Sequence, residues 1–425
     1  MRQLVNSHID QLDVSNPQLV YANGVFQDTV KYDRLYNGDA QRFFDKQLRE
    51  KLGLPVNGLD WIGTDAVDRN VLSLDMFSPD ELFNGGGGSS LVTYNGYDHT
   101  GKILRGNPTF DDFINKQDAN GNYTREIGAF QPIYIAGYIQ DKFAFRDIIF
   151  NVGVRVDRYD ANQLVMKDPY SLYETRTAGE LTIPNRPANI GDDYVVYVKD
   201  VNNPSVANII GYRNGNTFYD ASGTELQDAQ VLAQSTNNGK IAPYLLNPSD
   251  QRLSSNAFRD YKPQVNIMPR IAFQFPISDD AQFFAHYDVL TQRPTAANRF
   301  DPLDYYFLQT NIGNVLNNPD LQPQKTVDYE LGFKQKLNDR SAITLTAFYR
   351  ELRNLVQQQA VLYAYPVNYT TYGNVDFGTV KGFTAAYDLR RTGNVRLTAN
   401  YTLQFADGTG SNTSFAAGLI QGRFR

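Results

Sequence analysis

From Pro132 onward the chain alternates apolar and polar residues with a period of two, and the alternating segments come in pairs joined by very short turns. Pro132 to Phe145 and Ile148 to Tyr159 make the first pair, around Arg146-Asp147. Val265 to Ile277 and Ala281 to Thr291 make the second, Lys325 to Leu337 and Ser341 to Arg353 the third, and Tyr372 to Leu389 and Val395 to Ala406 the fourth. Between pairs the connections are long: residues 160–264, 292–324 and 354–371. One rim of the predicted sheet therefore carries tight turns and the other carries long loops. A soluble sandwich has no reason to keep that asymmetry, whereas an outer-membrane barrel combines short periplasmic turns with long extracellular loops. The segments also exceed the usual soluble strand and suit a tilted crossing of a hydrocarbon layer.

The two faces of each segment differ in the same way. Phe150, Val152, Val154 and Val156 alternate with Asn151, Gly153, Arg155 and Asp157, and Val327, Tyr329, Leu331 and Phe333 alternate with Asp328, Glu330, Gly332 and Lys334. Turning Lys or Arg to lipid at mid-depth costs roughly 2–4 kcal/mol, and an acid less. Asn151, Arg155, Asp157, Asp328, Glu330 and Lys334 are therefore expected to face the lumen. The first segment is ambiguous, because Ile133, Ile135 and Ile139 share a parity with Asp141 while Tyr134 and Tyr138 share one with Lys142. Aromatic residues such as Phe143, Phe145, Tyr159, Tyr349, Tyr401 and Phe405 gather near segment ends, where girdles at the two water interfaces would lie. The expected fold is all-β: the wall of an antiparallel up-and-down transmembrane β-barrel, a partial barrel of about eight strands with long extracellular loops. The competing reading is a soluble, secreted β-rich protein, carbohydrate-binding or structural, whose apolar faces meet in a sandwich.

Residues 1–131 read as an irregular, loop-like region with short helices. Asp39 to Gly53 is expected to be a helix capped by Asp39, with Phe44, Leu48 and Leu52 on one face and Gly53 and Pro55 ending it. Ser78-Pro79 opens a second short turn. Beyond the last pair, residues 407–425 are rich in glycine and serine and read as a truncated extracellular loop.

Composition narrows the chemistry. The 425 residues carry a formal charge of −6, which gives no basic field for a phosphate backbone, so nucleic acid is not an expected partner. There is no cysteine, and His8, His99 and His286 stand singly, so neither a thiolate nor a zinc-spaced histidine pair is available and no metal site is expected. Twenty-eight Tyr and 26 Phe beside a single Trp, with a mean hydropathy of −0.46, pair amphipathic aromatics with a polar average, as a barrel does. No run of 18 apolar residues exists to make a transmembrane helix, and the N-terminus lacks a basic and then apolar leader. Asp118, Asn120 and Asn122 have calcium-loop spacing, but Asn120-Gly121 reads as a turn, as does Asn214-Gly215. The run Gly85 to Gly88 lacks the Lys-Ser or Lys-Thr of a phosphate cradle and reads as a flexible loop. No nucleophile elbow or paired-carboxylate motif appears, so an enzyme has no support in the residues and no cofactor is expected. Tyr305, Tyr306 and Phe307, in the loop 292–324, form an aromatic cluster suited either to stacking on a ligand or to packing that loop.

Two stretches carry a family resemblance. AGYIQDKFAFRDIIFNVGVRVDRY, from Ala136 to Tyr159, and NPDLQPQKTVDYELGF, from Asn318 to Phe333, resemble paired strands and a loop-to-strand passage in the barrel of TonB-dependent outer-membrane receptors. The second differs at Gln324, where the family usually has Glu. YGNVDFGTVKGFTAAYDL is similar to a further strand of that barrel, and the long first loop with MFSPDELFNGG upstream resembles the Oar-like receptors that bear a carboxypeptidase-regulatory-type domain. The resemblance implies residence in the cell outer membrane, contact with outer-membrane lipid, and ligand uptake energised by the TonB system through a plug domain. A surface lipoprotein is a further partner it allows, and a passive porin-like channel is the alternative within the same architecture. The chain shows neither a plug pattern nor the 22 strands of such receptors, nor a terminal amphipathic strand ending in an aromatic, so it is expected to be an internal fragment of a longer receptor.

Overall fold

A computed structural model describes residues 4–5, 7, 11–83, 91–310 and 313–408. His8, the Gly85 to Gly88 run and the tail beyond Gly408 lie outside the described residues. The described chain falls into two units, residues 1–129 and 130–425.

The second unit is built on one meandering sheet. Its long strands are β1 (Ile133–Phe145), β2 (Ile148–Asp160), β3 (Gln264–Ser278), β4 (Ala281–Gln292), β5 (Gln324–Asn338), β6 (Ser341–Val361), β7 (Tyr369–Thr392) and β8 (Val395–Gly408). Each pairs antiparallel with its neighbours in chain order, and a two-residue strand, Val315–Leu316, runs parallel to β7 at Thr370–Thr371. Tight turns join β1 to β2, β3 to β4, β5 to β6 and β7 to β8 at one rim, and Arg146 takes a left-handed φ of 53° in the first of them. All longer connections lie at the opposite rim. Among the described residues no helix is long and apolar enough to cross a membrane.

Register settles the faces. Ala136 stands opposite Asp157 and Tyr138 opposite Arg155, so Tyr134 and Tyr138 lie on the polar face and Ile133, Ile135 and Ile139 on the apolar one. The open parity of β1 is thereby resolved, with Asp141 on the apolar side close to the turn rim. Apolar side chains stand open along that face: Ile139 is 72% exposed, Ile267 64% and Leu331 52%, which is the opposite of a sandwich interior. Two aromatic rows cross it. Tyr287, Tyr329 and Tyr349 are register partners with centroids 5.1 and 6.2 Å apart on the loop side. Phe143, Phe150, Phe273 and Phe283 continue at 5.3, 6.4 and 5.9 Å toward the turns. Such rows are where interface girdles form.

On the polar face, two strand glycines make room for rings. A Cβ at Gly332 would sit 2.0 Å from Phe284 Cζ, and one at Gly382 2.5 Å from Phe348 Cζ, with each ring lying on the neighbouring strand's glycine. An aromatic ring covering a cross-strand glycine restores the packing that glycine lacks.

The loop rim differs from its reading as open loop. β6 and β7 continue past Arg353 through a bulge at Asn354, whose φ is 59°, so the connection expected at 354–371 shrinks to residues 362–368. The segment NLVQQQAV lacks clean alternation because register shifts at Leu355 and Gln357 break its parity. Within the long first connection, Val195–Val198, Ile209–Asn214, Thr217–Asp220 and Glu225–Leu226 form a four-stranded sheet. The turn between its central strands is Gly215-Asn216, one residue later than Asn214-Gly215, and Gly215 takes the left-handed φ of 55°.

This inserted sheet has its own dry core. Tyr197, Phe218, Leu232 and Ile241 cluster on one side and Ala178, Ile190, Val196 and Tyr212 on the other. Arg213, 5% exposed, pairs with Asp168, donates to Tyr197 Oη at 2.9 Å and lies over the Tyr170 ring. The tip of the β6–β7 hairpin is stitched to it by Tyr363 Oη donating to Asp228 (2.5 Å) and Tyr365 Oη donating to Gln251 (2.6 Å). The second long connection is tied in through Gln309 Nε2, which donates to Tyr173 Oη at 3.1 Å, and Thr371 Oγ1, which donates to Leu316 O at 3.0 Å. The connections thus form one packed cap.

In the first unit, a 3-10 turn at Gly38–Ala40 is capped by Asn37 and the helix α1 spans Phe43–Lys51 without a side-chain cap. Asp39 therefore does not cap α1, because the chain turns once before the helix starts. Leu48 is buried with Ile62 and Met76, while Leu52 is exposed. Ser78 and Glu81 make the capping box of the short helix α2, Pro79–Leu82. Asp118 accepts from the backbone of Asn120 and Asn122, so its carboxylate is spent on the turn and not on calcium geometry.

Candidate functional site

Alternation along the strands places Asn151, Arg155, Asp157, Asp328, Glu330 and Lys334 on one face of the sheet, since residues in register across strands share a face. Their partners come from neighbouring strands. Arg270, Asp288, Asp328 and Arg350 are successive register partners across β3, β4, β5 and β6, a row of charges reading plus, minus, minus, plus. Like charges directly opposite are unfavourable, and the flanking guanidinium groups offset them. Arg350 Nε lies 3.0 Å from Asp328 Oδ2 and its Nη2 donates to Glu330 Oε1 at 3.0 Å, while Arg270 lies 3.6 Å from Asp288.

His286 Nε2 sits 3.5 Å from Glu330 Oε2, and the ligating atoms of His286, Asp328 and Glu330 all lie within 4.8 Å of one another. Their chemistry suits a divalent cation, but Arg350 already compensates both carboxylates. A metal would have to displace that guanidinium. Sequence reasoning missed this cluster because its members sit on two strands, and neither His286 nor Arg350 carries a local motif.

The aromatic cluster in the second long connection is divided by the structure. Tyr305 is 5% exposed, packed 4.9 Å from Phe258 and 5.2 Å from the Phe300 ring. It packs the loop, one of the two roles its sequence allows. Tyr306 is 38% exposed and meets the half-buried Phe307 edge-on at 4.8 Å. Beside them, burial and the neighbouring Asp301 push the Asp304 carboxyl up to about 7, against the backbone N–H of Asn317 that it accepts at 3.2 Å. Asp301 is raised too, again chiefly by burial.

The sequence model of the TonB-dependent receptor-like β-barrel matches residues 5–422. The chain belongs to that family. It is accordingly an outer-membrane protein. No curated protein matches the sequence. Among solved structures it is similar to the FrpB iron transporter from Neisseria meningitidis, at 10% identity over 65% of this chain and 26% of that one, with a TM-score of 0.32. The alcaligin outer-membrane receptor FauA from Bordetella pertussis gives 12% identity, 66% and 31% coverage and a TM-score of 0.31. The haemophore receptor HasR from Serratia marcescens gives 12%, 65%, 34% and 0.37. The chain thus spans between a quarter and about a third of these receptors' length, and membership rests on the family model.

Proposed function

We propose that this chain supplies barrel wall and extracellular loops to an outer-membrane receptor that imports a nutrient ligand, with uptake energised by the TonB system through a plug domain. In this reading residues 132–406 are the wall with its loops, residues 1–131 and 407–425 are further loop, and the polar face bearing Asn151, Arg155, Asp157, Asp328, Glu330 and Lys334 lines the lumen. Tyr306 and Phe307 offer the cap an aromatic contact for a ligand, and a surface lipoprotein is a partner the cap could carry. The observation that supports it most is the difference between the rims: bare two-residue turns at one, a folded cap with dry cores at the other. A receptor needs built structure only where ligand arrives.

The test is electrical. The receptor containing this chain, reconstituted in a planar bilayer in potassium chloride, is expected to show no steady conductance, because a plug closes the lumen. Persistent open-channel current would favour a passive porin and contradict energised import.

A further inference from the structure

Just below the cap, two adjoining cavities of about 430 and 320 Å³ open on the polar face at the loop end of β1 to β4, sharing Tyr134, Asp157 and Thr291. Arg155, Arg270 and Arg293 line them against the carboxylate of Asp157, and Arg270 is matched by Asp288 at 3.6 Å on the neighbouring strand, which leaves Arg293 as the excess cation. The Asp157 carboxylate is already engaged. Arg155 Nε lies 2.7 Å from its Oδ1, Tyr134 Oη donates to its Oδ2, and Asp157 is only 6% exposed. Arg155 Nη2 donates to Tyr134 Oη at 3.1 Å, which fixes the phenol and the guanidinium together.

Arg293 is different. It is exposed, its guanidinium lies 5.2 Å above the Tyr134 ring, and among the described residues no carboxylate pairs with it. An arginine held over a ring by cation–π attraction keeps its planar donor fork for an incoming oxyanion. Tyr134 and Tyr138, 43% and 75% exposed, add aromatic surface on which a ring can lie.

We propose that this cavity binds the anionic head, carboxylate or phosphate, of a small ligand, with Arg293 as the principal contact and Tyr134 and Tyr138 supporting the ligand's ring. The inference rests on the receptor reading and gives it a substrate class. Arg293 is the first residue after β4, so the site lies where a ligand leaving the cap would enter the polar channel. The same cation over Tyr134 disfavours a cationic ligand, which would meet net positive charge.

Titration calorimetry on the detergent-solubilised full chain tests this with benzoate, phenyl phosphate and benzyl alcohol at millimolar concentrations. The two anions are expected to bind and the neutral alcohol to bind roughly tenfold or more weaker, since a charge-assisted hydrogen bond is lost. The tighter of the two anions identifies the head group. Arg293→Gln should erase the preference, Arg293→Lys should keep part of it, and Arg146→Gln at the turn rim should leave it intact. Unchanged heat-modifiable mobility on a gel shows that each variant folds. Equal binding of all three probes, an unaffected Arg293→Gln variant, or no binding by any probe overturns the proposal. Failure here with the chain still in the outer-membrane fraction leaves the receptor reading standing, whereas a chain found in the aqueous fraction removes that reading itself.

Discussion

The wall and the cap of this protein solve opposite problems. The wall leaves large apolar side chains such as Ile139, Ile267 and Leu331 open along one face, and each of its strands pairs only with its neighbours in the sheet. The cap buries its apolar residues in cores of its own and adds a buried ion pair, Arg213 with Asp168, held by Tyr197 and Tyr170. The wall can therefore be read one strand at a time, while the cap exists only through contacts far apart in sequence. The two should also fail independently.

The largest expected effect is in the cap. Arg213→Ala leaves Asp168 without its cation in a nearly closed site, where breaking a buried pair costs about 3–5 kcal/mol. Protease should then cut within residues 161–263 while the heat-modifiable mobility of the wall persists. Loss of both together would show that cap and wall fold as one.

This contrast also sets what the sequence could disclose. Strand β2 was readable to within a residue, because Phe150, Val152, Val154 and Val156 alternate without a break with Asn151, Gly153, Arg155 and Asp157. For β1 the sequence was silent on its faces, since Asp141 and Lys142 are consecutive charges, and only register with β2 separates them. The hairpin extension beyond Asn354 stayed hidden because a bulge interrupts the parity on which the reading depends. Charged lumen candidates such as Asp328 and Glu330 were legible as a polar parity, but their partner Arg350 was not, since cross-strand pairing leaves no local spacing. Tyr305 and Tyr306 are adjacent and identical in type, so nothing in the chain says which is buried.

In the wall, Leu331→Arg places a cation on the lipid side and should cost about 2–4 kcal/mol if it lies at mid-depth. Urea unfolding in vesicles checks this, with proteolysis of the cap unchanged in the folded fraction. Gly332→Val should cost about 1–3 kcal/mol by overpacking, since its side chain would collide with the Phe284 ring. Adding Phe284→Ala should recover part of that loss, and no recovery would disprove the ring-over-glycine account.

The smallest expected effect is a pH dependence confined to the cap. Asp304 is raised from 3.8 to about 7 by burial first and by Asp301 second, so the folded cap favours its neutral form. The stabilisation is complete below the unfolded value near 3.8 and is lost as pH rises through about 7. Amide exchange around Leu303 and Asn317, corrected for intrinsic rates, should be slower at acid than at alkaline pH relative to wall amides. Asp304→Asn should reduce the difference to what Asp301, raised in the same way, contributes alone.

The most direct test of the central claim uses the absence of native cysteine. Single cysteines placed in turn from Val327 to Lys334 and spin-labelled in lipid vesicles report accessibility to oxygen, which concentrates in lipid, and to a nickel chelate, which stays in water. Oxygen accessibility should peak at Tyr329, Leu331 and Phe333, and chelate accessibility at Asp328, Glu330 and Lys334, with Val327, buried against Met268 and Val289, low to both. Accessibility without that alternation, or chelate reaching both sets equally, would contradict a wall wetted by lipid on one face.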